Sequence, residues 1–275
     1  SVTFSPDNSL LACAGDDGSI KLWRLEGEHW VAERKLLGGH LGPVNSVAFH
    51  PTQSNILLTA GEDGAAKLWQ RAADDWKSKA LGAENVGKGP VRQAIFSPAD
   101  ENIPVVILTV ADNSVKIWSE AGELLGTLDH GRPVQCVAVS PNREWIVTGV
   151  GSEAWVWDAK TYKRSPMPPL GGHSAEITSL AFSPEDGQRL FTASHDANVK
   201  IWDTKPWSVA ASTGEGQLGN AEQAIPPVSR ELLTLEQHSD SVVSVGFFAS
   251  KTNPSLLTAG ADGQAILWPS AVRPE

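Results

Sequence analysis

Three observations predict an all-β fold built from repeated four-stranded antiparallel units. A short strand motif recurs six times, a second motif ending in tryptophan keeps step with it, and tight-turn residues lie inside the second motif. The first motif reads "SVTFSP" from Ser1, "SVAFHP" from Ser46, "QAIFSP" from Gln93, "CVAVSP" from Cys136, "SLAFSP" from Ser179 and "SVGFFA" from Ser244. Its apolar anchors, Phe4, Phe49, Phe96, Val139, Phe182 and Phe247, are 45, 47, 43, 43 and 65 residues apart. The second motif reads "LLACAGDDGSIKLW", "LLTAGEDGAAKLW", "ILTVADNSVKIW", "IVTGVGSEAWVW", "LFTASHDANVKIW" and "LLTAGADGQAILW". It closes on Trp23, Trp69, Trp118, Trp157, Trp202 and Trp268, at steps of 46, 49, 39, 45 and 66. Two independent landmarks with one period rule out coincidence.

Each unit justifies its strands in turn. Strand a is short and rich in β-branched and aromatic residues, and the Pro that follows it in most copies stops it, since Pro donates nothing to a ladder. Strands b and c are the two apolar runs of the second motif. "DDG" and "EDG" between them are hairpin signals, because Gly and Asp tolerate positive φ. Strand d follows the tryptophan; in the first unit it is expected near Trp30 to Leu36. No helical periodicity of useful length competes with this pattern. A meander this small cannot bury its own faces, and four-stranded units of roughly 40–45 residues are the blades of propellers. Six blades are represented, at about 1–37, 38–82, 83–129, 130–170, 171–236 and 237–275, as one domain. The last ends in "PSAVRPE", too short and Pro-interrupted for an outer strand. That gives five complete blades plus three strands, 23 in all, cut from a ring of six or seven.

The residues resemble the Trp-Asp (WD) repeat family of β-propellers. "GGH" at Gly38 to His40, Asp63 and "KLW" ending at Trp69 carry the likeness, and "GGH" at Gly171 to His173, Asp196 and "KIWD" carry it best. The resemblance implies a buried hydrogen-bonded set in each blade, made of a loop His, a strand b Ser/Thr, the turn Asp and the strand c Trp. Here these are His40, Thr59, Asp63 and Trp69; His173, Thr192, Asp196 and Trp202; and His238, Thr258, Asp262 and Trp268. Other blades depart from the pattern. The fourth has Gly151 where the Asp belongs, and the third offers "GAENVGKGP" for the Gly-His. The first pairs Cys13 with Asp17 and Trp23. Such blades are expected to rely on apolar packing and to be less stable locally. The resemblance also implies partner contacts on the top rim. The positions are the residue before the turn Asp, which gives Asp16, Glu62 and His195, and the start of strand a, which gives Asn45, Arg92, Gln135, Glu176, Thr178 and Val243.

Other functions find little in the sequence. The net charge of −10 comes with no Lys/Arg cluster, so nucleic acid is not an expected partner. The longest apolar run, Ile103 to Val110, is too short for a membrane-spanning helix. The two cysteines, Cys13 and Cys136, have no metal-ligand spacing, and they fit a reducing compartment such as the cytoplasm. No metal, cofactor or catalytic residue is expected, because no nucleophile–base constellation emerges. The fifth interval holds an insertion at 204–230, rich in Gly, Ala, Ser and Pro. Its "GEGQLG" lacks the strand and helix that a dinucleotide fingerprint requires, and Trp207 is its one candidate docking anchor. The function expected is a non-catalytic scaffold for a protein or peptide, by analogy of fold. The alternative is a regulatory segment of a larger enzyme, such as a bacterial Ser/Thr kinase.

Overall fold

The computed structural model describes residues 1–33, 37–73, 75–82, 89–184, 187–207, 230–248 and 255–268. They form six antiparallel sheets in two compact bodies, Ser1–Val134 and Gln135–Glu275. The fold class is the all-β propeller class, three blades to each body.

In the N-terminal body the first sheet runs β1 (Val2–Phe4), β2 (Leu10–Ala14), β3 (Ser19–Glu26), β4 (His29–Ala32). A further short strand, β5 (Leu37–Gly38), also pairs with β3. The second sheet runs β6 (Val44–Phe49), β7 (Ile56–Gly61), β8 (Ala66–Ala72), β9 (Asp75–Ala80), and the third β10 (Val91–Phe96), β11 (Val106–Ala111), β12 (Ser114–Ser119), β13 (Leu124–Asp129). In the C-terminal body the sheets are β14 (Cys136–Val139), β15 (Trp145–Val150), β16 (Glu153–Asp158); β17 (Ile177–Phe182), β18 (Arg189–Ser194), β19 (Val199–Asp203), β20 (Glu231–Leu235); and β21 (Val242–Phe248), β22 (Ser255–Gly260), β23 (Ala265–Trp268).

The named strands total 23, but they are not distributed as five fours and a three. The outer edge of blade one is split, because Gly27 at φ 64 turns β3 directly into β4, and β5 pairs separately. Blade four has no regular outer strand among the described residues. Its chain turns back tightly at Tyr162 (φ 57) and pairs with β16 through the isolated bridges Trp157↔Arg164 and Ala154↔Leu170. Arg164 also lays its guanidinium 3.7 Å over the Trp155 ring.

The core lies between sheets, as expected of units that cannot cover themselves. Leu10, Ala12, Ile20 and Leu22 of blade one pack on Val47, Phe49 and Leu57 of blade two. The same relation joins blade two to three, four to five and five to six. The Ser that opens strand a has a role at these junctions. Ser1 Oγ accepts Val47 N (3.3 Å), Ser46 Oγ donates to Ala94 O (3.1 Å), and Ser179 Oγ accepts Val245 N (3.3 Å), so each links one strand a to the next. Trp207 is not a free anchor. It is fully buried, edge-on to Trp145 and Phe182 at 5.9 and 6.3 Å between ring centres, in the core shared by blades four and five. The "GEGQLG" stretch, the rest of the insertion to 229 and the closing "PSAVRPE" lie outside the described residues.

Candidate functional site: a hydrogen-bonded frame beneath a polar rim

Three blades carry a relay of side chains. In blade two the Trp69 indole donates to Thr59 Oγ1 at 2.9 Å, Thr59 Oγ1 meets His40 Nε2 at 2.8 Å, and His40 Nδ1 meets Asp63 Oδ1 at 2.9 Å. The proton positions follow from the carboxylate and the neutral ring. Asp63 is held ionised and only accepts, so His40 Nδ1 carries the ring proton and donates it. With the ring neutral, Nε2 accepts the Thr59 hydroxyl proton, and the Thr59 oxygen accepts the indole N–H. Asp63 also accepts the backbone N–H of Leu41 (3.0 Å) and of Ala65 (3.2 Å), which ties the Gly-His loop to the b–c hairpin. Blade five repeats this arrangement. Trp202 donates to Thr192 (3.0 Å), His173 Nε2 lies 2.7 Å from Thr192, and His173 Nδ1 lies 2.8 Å from Asp196. In blade six Trp268 donates to Thr258 (3.0 Å), His238 Nε2 lies 2.8 Å from Thr258, and Nδ1 lies 3.0 Å from Asp262 Oδ2.

The electrostatics agree with a neutral imidazole in blade two. Burial pushes the His40 pKa down, against the pull of Asp63. Burial raises Asp63 and Asp196, but hydrogen bonds from the ring and from backbone N–H groups outweigh it and hold both below the usual carboxylate range. In blade two the ring's donor and acceptor are therefore both taken up within the frame. Burial also pushes the Cys136 thiol up to about 12, so it offers no thiolate at neutral pH. Among the described residues no group of three or more His, Cys, Asp or Glu is placed to hold a metal ion.

Hairpin length separates the three relay blades from blades three and four. In blade two Gly61 N bonds Ala65 O around a three-residue loop, Glu62-Asp63-Gly64, with Gly64 at φ 76 closing it. At Gly61 an added Cβ would lie 2.6 Å from His40 Nδ1, so the ring packs directly on backbone there. Blades three and four use two-residue turns instead. Ala111 pairs Ser114 around Asp112 (φ 50), and Val150 pairs Glu153 around Gly151 (φ 58). These blades keep the indole-to-threonine bonds, Trp118 to Thr109 (2.9 Å) and Trp157 to Thr148 (3.0 Å).

Above the frame lie the rim positions, and a repeated irregularity organises them. Strand a slips register by one residue in four blades, between Val44 and Ser46, Val91 and Gln93, Ile177 and Ser179, and Val242 and Ser244. The skipped residues are Asn45, Arg92, Thr178 and Val243. A bulge frees its residue from the ladder and re-aims the side chain. Arg92 and Val243 are exposed. Asn45 donates to Glu62 Oε1 (3.0 Å) and to Val91 O (3.1 Å), and Thr178 donates to Val242 O, so these two also latch the next blade. In the N-terminal body Asp16 and Glu62 are exposed at hairpin tips, and Leu41 of the Gly-His loop is 91% exposed. In the C-terminal body Gln135 donates to Glu176 Oε2 (3.3 Å), and exposed His195 is held by its N–H to Glu176 O (2.9 Å). The pattern reading missed the bulges and Leu41. In the structure Ser46 and Val47 are adjacent and both buried, which breaks the alternation of a flat strand.

Sheets of this order, repeated and stacked face to face over a His–Thr–Trp–Asp frame, define a propeller repeat protein. The family described as "WD domain, G-beta repeat" matches residues 1–24, 32–70, 122–158, 164–203 and 229–269, and the chain belongs to it. Strands β10–β12 fall outside the matched segments, yet their sheet has the same strand order. Among curated proteins the chain is similar to the U3 small nucleolar RNA-associated protein 15 homolog of Gallus gallus, 27% identical over 76% of this chain and 38% of that one. It resembles the target of rapamycin complex subunit wat1 of Schizosaccharomyces pombe, 27% identical over 46% of this chain and 40% of that one. It also resembles the COMPASS component SWD1 of Saccharomyces cerevisiae, 35% identical over 30% of this chain and 20% of that one. The chain spans less than half the length of each of these relatives. Among the described residues no helix is long and apolar enough to cross a membrane.

Proposed function

We propose that the chain is a non-catalytic scaffold that binds a protein or peptide through the rim of each body. In the N-terminal body the contacts are made by Asn45 and Arg92 at the bulges and by Asp16 and Glu62 at the hairpin tips; in the C-terminal body they are made by Thr178 and Val243 at the bulges and by His195 at a hairpin tip, with Gln135 and Glu176 beside it. The observation that carries this reading is the recurring bulge. One backbone device presents a chemically different side chain in each of four blades, three of which also carry the relay that ties their loops. Two relatives are named as parts of assemblies, a target of rapamycin complex and COMPASS, which supports a binding role. A net charge of −10 favours a protein over a nucleic-acid partner. The relatives' names, one of them nucleolar, lend the cytoplasm no particular support, and none of those reported speaks for a kinase. The test is selection of binders from a displayed peptide library against the intact chain. Arg92→Ala, Glu62→Ala and Val243→Asp should each weaken selected peptides at least tenfold without moving the melting temperature, and the off-rim Leu124→Ala should leave binding unchanged. Equal binding across the rim variants overturns the assignment.

A further inference from the structure

Ser-Pro pairs occur in the chain at Ser5, Ser97, Ser140, Ser165 and Ser183. Four of them follow a strand a, and their hydroxyls are closed off. Ser5, Ser97, Ser140 and Ser183 are 2%, 1%, 1% and 8% exposed. Each Oγ accepts a backbone N–H at the start of strand b, from Leu10 (2.9 Å), Val106 (3.0 Å), Trp145 (3.0 Å) and Arg189 (3.2 Å). An acid also follows each closely, at Asp7, Asp100, Glu144 and Glu185. Ser165 differs in every respect. It is half-buried in the irregular stretch that follows β16, and Pro166 beside it is exposed. Its Oγ accepts the Met167 N–H at 3.3 Å, two residues on, and caps no strand. No acid occurs from Ala159 to Leu170, while Lys160, Lys163 and Arg164 are all exposed there, in a chain whose net charge is −10.

We propose that Ser165 is a phosphorylation site for a proline-directed protein kinase, with a nucleoside triphosphate as phosphoryl donor. The serine oxygen forms a bond to the γ-phosphorus, the bond from that phosphorus to the nucleoside diphosphate breaks, and the hydroxyl proton passes to the kinase. Two features single out this serine. The first is access. The stretch is held to β16 by the isolated bridges at Arg164 and Leu170 and by the Ser165 N–H to Val156 O (2.9 Å). Lifting it into a kinase cleft is a local opening, which costs far less than the loss of a sheet ladder. The second is charge. A phosphoserine carries about two negative charges at neutral pH and is stabilised beside cations but repelled beside Asp or Glu. Lys163 and Arg164 precede Ser165 directly, whereas each of the other four serines has a carboxylate close behind it.

The test incubates the intact, folded chain with ATP and, in turn, a cyclin-dependent kinase and a mitogen-activated protein kinase, both proline-directed. Peptide mass spectrometry then maps the phosphate. Ser165 should be phosphorylated at least tenfold faster than Ser5, Ser97, Ser140 or Ser183. Ser165→Ala should remove that phosphate. Pro166→Ala should slow the transfer at least tenfold, and because Pro166 is exposed its circular dichroism and melting should match the parent, which keeps the test decisive should Ser165→Ala misfold. No phosphate at Ser165 with either kinase, transfer that continues undiminished in Pro166→Ala, or equal labelling of the four buried serines each overturns the proposal.

Discussion

Blades four and five are neighbours in one body and stand on different physics. Blade five spends three polar side chains and an indole on a relay, with Asp196 binding His173 and the N–H groups of Ser174 and Asn198. Blade four turns in two residues at Gly151 and has no carboxylate at that turn. Beside it gather Trp145, Val147, Ala154, Val156, Met167 and Leu170, all buried, with Trp207 closing the cluster. The turns of these two blades differ in length and chemistry. The three-residue loop of blade five positions Asp196 to receive His173, whereas the two-residue turn of blade four carries no carboxylate, and apolar volume carries its junction instead.

The comparison can be broken or sharpened by substitution, with the largest effect expected in the apolar blade. Trp207→Ala should cost about 3–5 kcal/mol, because it removes a fully buried ring that two aromatic neighbours face edge-on. Urea unfolding measures it, and a loss below ~1 kcal/mol would mean that the ring only decorates the core. Next, Thr192→Val keeps the shape in blade five but leaves His173 Nε2 and the Trp202 indole without their shared partner. About 1–3 kcal/mol should be lost for each buried group. If this variant unfolds at the parent's urea midpoint, the relay is ornamental and blade five also stands on packing.

Smaller effects probe the turn itself. Gly151→Asp restores the residue that the repeat pattern calls for, yet it should cost up to ~1 kcal/mol and not stabilise. The position has φ 58, and its two-residue loop builds no relay. A gain in melting temperature would show that composition, not loop length, is what blade four lacks. The smallest effect is that of pH. His40 is held neutral by burial, so the folded state binds fewer protons than the unfolded chain once pH falls below about 6.5. Its contribution is whole above that pH and shrinks on acidification. Asp63 and Asp196, with lowered pKa, contribute fully above about 4 and lose their share as pH drops further. The urea midpoint should therefore fall in two steps between neutral and acid pH, and a rise over the first step would refute the neutral His40.

Much of this was open to reading from the chain itself. The anchors Phe4 to Phe247 and Trp23 to Trp268 mark strands a and c because period and apolar identity coincide there. The His, Thr, Asp and Trp of blades two, five and six stand at repeated spacings because hydrogen-bond geometry demands them. What escaped depends on single-residue offsets. The interval from Thr59 to Trp69 is one residue longer than that from Thr148 to Trp157, and this offset separates a three-residue hairpin loop from a two-residue one. The bulges at Asn45, Arg92, Thr178 and Val243 change the ladder without changing the motif around them. Trp207 looked like part of a loop because its partners, Trp145 and Phe182, are remote in sequence.

The bulge carries a consequence for how this molecule diversifies. At Asn45, Arg92, Thr178 and Val243 the backbone is spared from pairing while the residues on either side stay paired. Selection can therefore act on the side chain with little toll on folding, most freely at Arg92 and Val243, whose side chains are exposed. Asn45 and Thr178 are more constrained, because each also ties its blade to the next. Four copies of one strand thus combine a bulge that repeats with a side chain that does not. New specificities are best sought by rewriting those side chains alone.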